Sequence, residues 1–114
     1  MNLAPKLPPH RPIREKYNPV MNAAERRHAE RVCEEPCFGC RGPGGVAHHT
    51  LLNFPGKRWR RDHRRLLPVC HECHTDIHDT YGNEEDWLSS LGRTVGAAVA
   101  EMERLWAVSE ELER

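Results

Sequence analysis

The chain has 114 residues, 38% of them hydrophobic and 30% charged, with 17 basic side chains balanced by 17 acidic ones. That length holds one small domain, and two Phe with two Tyr leave little material for a sizeable apolar core, so a staple is expected. No apolar run approaches the roughly 20 residues that span a bilayer, which argues against a membrane protein and for a soluble one.

The N-terminus, MNLAPKLPPH, has no apolar stretch behind its charge, so no secretory leader is read and a reducing, cytoplasmic setting is expected. Residues 1–22 hold five of the nine prolines and several basic side chains, the composition of an extended arm that orders only on a partner. Residues 23–35 follow as one short helix: NAAERRHAERV is rich in helix formers, Asn22 is a good N-cap, and Pro36 lies just beyond the end.

Between residues 36 and 82 the chain changes character. A CFGC knuckle leads into the Gly/Pro turn RGPGG, a strand-like VAHHTLL, a basic loop NFPGKRWRRDH, a second apolar stretch LLPV and then CHECHTDIHDTYG. The last segment reads as a helix entered after Pro68 and stopped at Tyr81-Gly82, which gives a strand, loop, strand, helix order. Residues 83–114 read as a C-terminal helical region. Asn83 caps a helix whose Glu84, Glu85 and Asp86 suit its N-terminal dipole and whose Trp87, Leu88 and Leu91 pack it. After Gly92, Val95, Val99, Met102, Trp106 and Leu112 recur at roughly helical spacing, predicting a longer amphipathic helix.

Cys37-Phe-Gly-Cys40 and Cys70-His-Glu-Cys73 are both C-x-x-C, the spacing at which two thiolates of one tight turn reach the same ion. Two such knuckles complete a tetrahedral zinc site made of Cys37, Cys40, Cys70 and Cys73. His71 could replace one thiolate, and Cys33, the unpaired fifth cysteine, could replace Cys37. The 29 residues between the knuckles exceed the usual finger spacing, so a structured insertion with its own task is expected.

Six of the eight histidines fall between His48 and His78. His74 and His78, four residues apart on the predicted helix, share a face in metal-chelating spacing, although solvated helix histidines are spaced the same way. His48 and His49 lie on the preceding strand, inside the insertion that zinc ties to that helix. Phosphodiester hydrolysis needs a base for water and a cation for the charge on the phosphate and leaving oxygen. His49 suits the base, and His48, His74 and His78 suit the cation. Strand neighbours point to opposite faces, so both His48 and His49 serve one site only if the strand is bulged or ends there.

The order AHH, basic loop, LLPVCHECH and then His78 resembles the HNH, or ββα-metal, nuclease family, and more narrowly the phage and prophage members related to the recombination-enhancement nuclease. The resemblance covers about Pro36 to Trp87. It implies an α+β fold built on a zinc-stapled ββα-metal motif with flanking helices, a DNA endonuclease activity leaving 5′ phosphates, and a catalytic Mg2+ or Mn2+ beside the structural Zn2+. No Asn stands at the middle motif position. The ordinary spacing puts Arg65 there and the phage-type spacing puts Asp62-His63, of which His63 is preferred as the group that orients the base or loop.

Lys57 to Arg65 holds six Lys or Arg against Asp62, whereas residues 84–114 hold eight acids against three Arg. Lys57, Arg58, Trp59, Arg60, Arg61, Arg64 and Arg65 therefore form the expected DNA-phosphate surface, with low sequence specificity. A recombination or packaging protein is a further expected partner. Gly92, Gly96 and Ala100, at four-residue spacing, leave monomer and homodimer both open. The rival to a nuclease is a zinc-stabilised nucleic-acid-binding module without catalysis.

Overall fold

The computed structural model describes residues 20–50 and 62–114. Among these the fold is α+β, with helix α1 (Ala23–Cys33), strands β1 (Val46–His49) and β2 (Leu66–Val69), then α2 (His71–Thr75), which continues as a π-helical stretch Asp76–Tyr81. Helices α3 (Glu84–Ser90) and α4 (Val95–Leu112) complete it.

Each helix starts where a short polar side chain can satisfy an otherwise unpaired amide. In α1 the cap is reciprocal: the Glu25 amide donates to Asn22 Oδ1 at 2.8 Å and the Asn22 amide to Glu25 Oε1 at 2.9 Å. Asn83 caps α3 through the Asp86 amide, and Thr94 caps α4 through the Ala97 amide. The predicted stop at Gly82 is present, with φ +80, a left-handed value that glycine adopts without penalty.

The strands pair antiparallel, with Val46 opposite Val69 and His49 opposite Leu66. Strand alternation then divides the sheet into two faces. Val46, Leu67 and Val69 join a core with Ile77, Trp87 and Met102, on the side of α2, α3 and the start of α4. Ala47 and Leu66 join Val32 of α1 and Leu105 of α4 on the other. All four residues of β2 are buried. Pro68 is tolerated because it donates nothing in this two-stranded sheet, while its carbonyl accepts the Phe38 amide at 2.8 Å and so ties the first knuckle to the strand.

Three sequence expectations are corrected here. The stripe of α4 facing the core is Ala98, Met102, Leu105 and Ser109 with Val95 and Val99 beside it, while Leu112, the last residue of the helix, is 61% exposed. Leu91 is 39% exposed because α3 ends at Ser90. Gly92 sits in the turn between α3 and α4 at φ +70, off the α4 surface, which breaks the predicted small-residue stripe. That turn is anchored by Arg93, whose guanidinium lies 3.8 Å from the Phe38 ring centroid and donates to the Phe38 carbonyl. No described helix is long and apolar enough to cross a membrane.

Candidate metal centres and the histidine cluster

The cysteines of the two knuckles converge. The sulfurs of Cys37, Cys40, Cys70 and Cys73 all lie within 4.8 Å of one another, and Cys40 Sγ is 3.8 Å from Cys70 Sγ. With Zn–S bonds of about 2.3 Å the edge of a tetrahedron is about 3.8 Å, so the donor set fits that ion. The knuckles repeat one local design: the Cys40 amide donates to Cys37 Sγ at 3.4 Å, and the Cys73 amide to Cys70 Sγ at 3.3 Å. Cys70 is also the N-cap of α2, where the helix dipole favours a thiolate.

Electrostatics point the same way. Burial pushes the Cys37 thiol up, but amides of Cys40, Cys70 and Gly39 outweigh it and bring it down to about 7. Cys73 is raised, first by burial and then by the neighbouring sulfurs. One thiolate thus forms readily and the next meets its charge, a conflict that a divalent cation resolves. His71 and Cys33 are outside this group.

Gly39 is required for the knuckle to close. A Cβ there would meet Trp87 Cζ2 at 2.6 Å and Cys73 Sγ at 3.0 Å, and Trp87 shares a buried cluster with Cys37 and Cys73.

The second group is His48, His74 and His78, whose ring nitrogens lie within 4.8 Å of one another. His74 Nε2 and His78 Nε2 are 3.3 Å apart, close to a tetrahedral edge for metal–nitrogen bonds of about 2.0–2.1 Å. His48 comes from β1, His74 from α2 and His78 from the π-helical stretch, where local widening of a helix is often found at functional sites. His48 is buried, His74 half-buried and His78 exposed, so the group opens to solvent on one side. His74 is held below the ordinary imidazole value, first by burial and then by His48 and His78, which favours the neutral form a metal needs.

His49 is not part of that group. It is the last residue of β1, and its Nε2 lies 2.9 Å from Nδ1 of His63. The two neighbours diverge, His48 toward the helix histidines and His49 toward His63 from the loop before β2, and because β1 ends at His49 they meet the strand-end condition under which both can border one site. Of the candidates for the middle motif position, His63 therefore contacts the proposed base. Arg65 instead gives its carbonyl to the Thr50 amide. Asp62 accepts from the Arg64 amide at 3.0 Å and from Arg64 Nε at 3.2 Å, closing the turn into β2. Burial raises the Asp62 carboxyl, but these bonds from Arg64 lower it further.

Arg64 is thus paired within the chain, although its side chain is 59% exposed. Lys57, Arg58, Trp59, Arg60 and Arg61 lie outside the described residues.

One residue of this region was not singled out for the site from the sequence. Glu84 Oε2 lies 2.9 Å from His48 Nε2. Its place in the first turn of α3 reads as a dipole-favouring acid, a role that Glu85 and Asp86 share, so the sequence carries no signal that singles it out.

Comparison with protein-family models, with curated proteins and with solved structures gives no match.

Proposed function

We propose that this chain is a metal-dependent DNA endonuclease of HNH type, built on a zinc-held scaffold. The observation that supports it most is the adjacency of two imidazole systems at the end of β1: His48 in a three-histidine group with His74 and His78, and His49 hydrogen-bonded to His63. A cation held by His48, His74 and His78 would supply charge stabilisation for the scissile phosphate and the departing 3′ oxygen.

The chain's own residues supply the proton chemistry. His49 accepts a proton from the attacking water. For that, His49 must keep a basic nitrogen while still paired with His63. The consistent arrangement has His49 Nε2–H donating to His63 Nδ1, which leaves the His49 Nδ1 lone pair as the base and makes His63 the Nε2–H tautomer. His63 thereby takes the orienting role at the middle motif position.

Three imidazoles form a donor set better suited to later first-row ions than to Mg2+, which favours oxygen ligands. Of the two ions the resemblance implies, Mn2+ is the better fit, and Co2+, Ni2+ or Zn2+ fit better still. Cys37, Cys40, Cys70 and Cys73 hold Zn2+ in a structural role, closed to further ligands. DNA is the substrate, engaged through phosphate contacts from the basic segment.

The test is plasmid nicking by zinc-loaded protein across a panel of divalent ions, with His74→Ala and His78→Ala alongside. Nicking that both substitutions abolish supports the proposal. Salt-sensitive DNA retention without nicking under any ion would leave a zinc-stabilised binding module instead.

A further inference from the structure

Glu84, which the proposed nuclease chemistry does not use, forms a part-buried acid–imidazole pair with the cation ligand His48. Their side chains are 15% and 4% exposed, and Glu84 Oε2 is 2.9 Å from His48 Nε2. The pair joins elements distant in sequence, β1 and the first turn of α3. Glu84 is held there by the Gly82 turn and by the Asn83 cap, whose side chain accepts from the Asp86 amide at 2.8 Å. A carboxylate withdrawn from water this far is costly unless a donor meets it.

An imidazole has two nitrogens, and a hydrogen bond at one decides what the other can do. With Nε2–H donating to Glu84, the only lone pair left to His48 is on Nδ1. The Glu84 carboxylate is outside the group formed by His48, His74 and His78, whose ligand atoms all lie within 4.8 Å of one another.

We propose that Glu84 is a positioning residue that fixes His48 as the Nε2–H tautomer, so that His48 presents Nδ1 to the cation shared with His74 and His78. This rests on the metal role given to the three histidines under the proposed function. It adds a carboxylate–histidine–metal relay, in which an outer acid sets the tautomer and raises the basicity of the ligand. Glu84 also offsets part of the charge that a divalent ion brings to this half-buried place.

The experiment titrates Co2+ into protein already loaded with one Zn2+ at the cysteines, following the cobalt absorption bands, for wild type, Glu84→Ala and Glu84→Gln. Wild type should take up a second ion, Glu84→Ala should bind it about 10- to 100-fold more weakly, and Glu84→Gln, whose amide oxygen still accepts a hydrogen bond, should fall between. Long-range 15N–1H correlation spectra of the zinc-loaded protein should show His48 protonated at Nε2, with that preference lost in Glu84→Ala. Unchanged zinc content shows that the scaffold survives, and Glu84→Gln decides the matter if Glu84→Ala does not fold. Equal cobalt affinity in all three proteins, or His48 protonated at Nδ1 in wild type, overturns the role of Glu84 while leaving the nuclease reading standing. No second ion in wild type overturns both.

Discussion

His49 Nε2 lies 2.9 Å from His63 Nδ1, joining the end of β1 to the loop before β2. Between two neutral imidazoles at that distance only one proton is shared, so each ring fixes the tautomer of the other. Replacing His63 with Ala removes this contact from His49. Cleavage by His63→Ala is expected to fall by up to about 10²-fold, the scale at which misplacement of a catalytic group is felt, with zinc content unchanged. His63→Asn, which keeps a polar partner, should recover part of it. Single-turnover rates of the three proteins check this.

Zinc removal should unfold more than the knuckles. Cys37 and Cys73 belong to the same buried cluster as Leu67, Ile77, Trp87 and Met102, so the ion and the main core are one cooperative unit. Treatment with a strong chelator, or Cys37→Ser, should abolish the near-ultraviolet signal of Trp87 and the thermal transition together, as expected where binding energy is folding energy. A chelated protein that keeps its full melting transition would show the scaffold to be independent of metal.

Gly39→Ala should destabilise although it adds one methyl. The new Cβ would stand 2.6 Å from the Trp87 ring and 3.0 Å from Cys73 Sγ, both fixed by packing. A loss of about 1–3 kcal/mol is expected, the cost of overpacking a dense interior. Urea unfolding at fixed zinc concentration measures it.

Stability should fall in two stages as pH is lowered. His28 is fully buried, its Nδ1 2.6 Å from Ser109 Oγ and its ring edge-on to Trp106. Burial, and then the nearby Arg31, hold it below the ordinary value of 6.5. The unfolded chain therefore takes up this proton first, and the contribution of His28, complete above pH 6.5, is lost as pH falls below it. Glu113 follows. Hydrogen bonds from Arg27 and then Arg31 lower it from 4.5 to about 2, so its contribution is present above pH 4.5 and disappears toward pH 2. Urea midpoints between pH 8 and 3 should show both stages, with the first reduced in His28→Gln by the share of His28, since His74 is lowered in the same direction.

Much of this was legible in the sequence because the decisive signals are local. A C-x-x-C turn needs no tertiary information to present two sulfurs, and Asn22, Asn83 and Gly82 cap or stop helices by bonds within a few residues. The separation of His48 from His49 also followed from the period of a strand, though which elements each would meet did not. What stayed hidden were contacts across long separations. Glu84 and His48 are 36 residues apart, and His28 meets Ser109 across 81. Nothing in the local pattern distinguishes Glu84 from Glu85, since both suit the first turn of a helix. Leu91 and Leu112 failed for a related reason: hydrophobic spacing shows which residues could face a core, while helix length decides where the core ends.

The most direct test of the nuclease reading is the cleavage rate of His49→Ala against wild type, on plasmid DNA with saturating Mn2+ or Co2+ and one Zn2+ per chain. The expected result is nicking by wild type and a rate lower by about 10²- to 10⁴-fold in His49→Ala, with both metal stoichiometries retained, as for loss of a general base. Equal rates in the two proteins, or no nicking by wild type with any divalent ion, would contradict it.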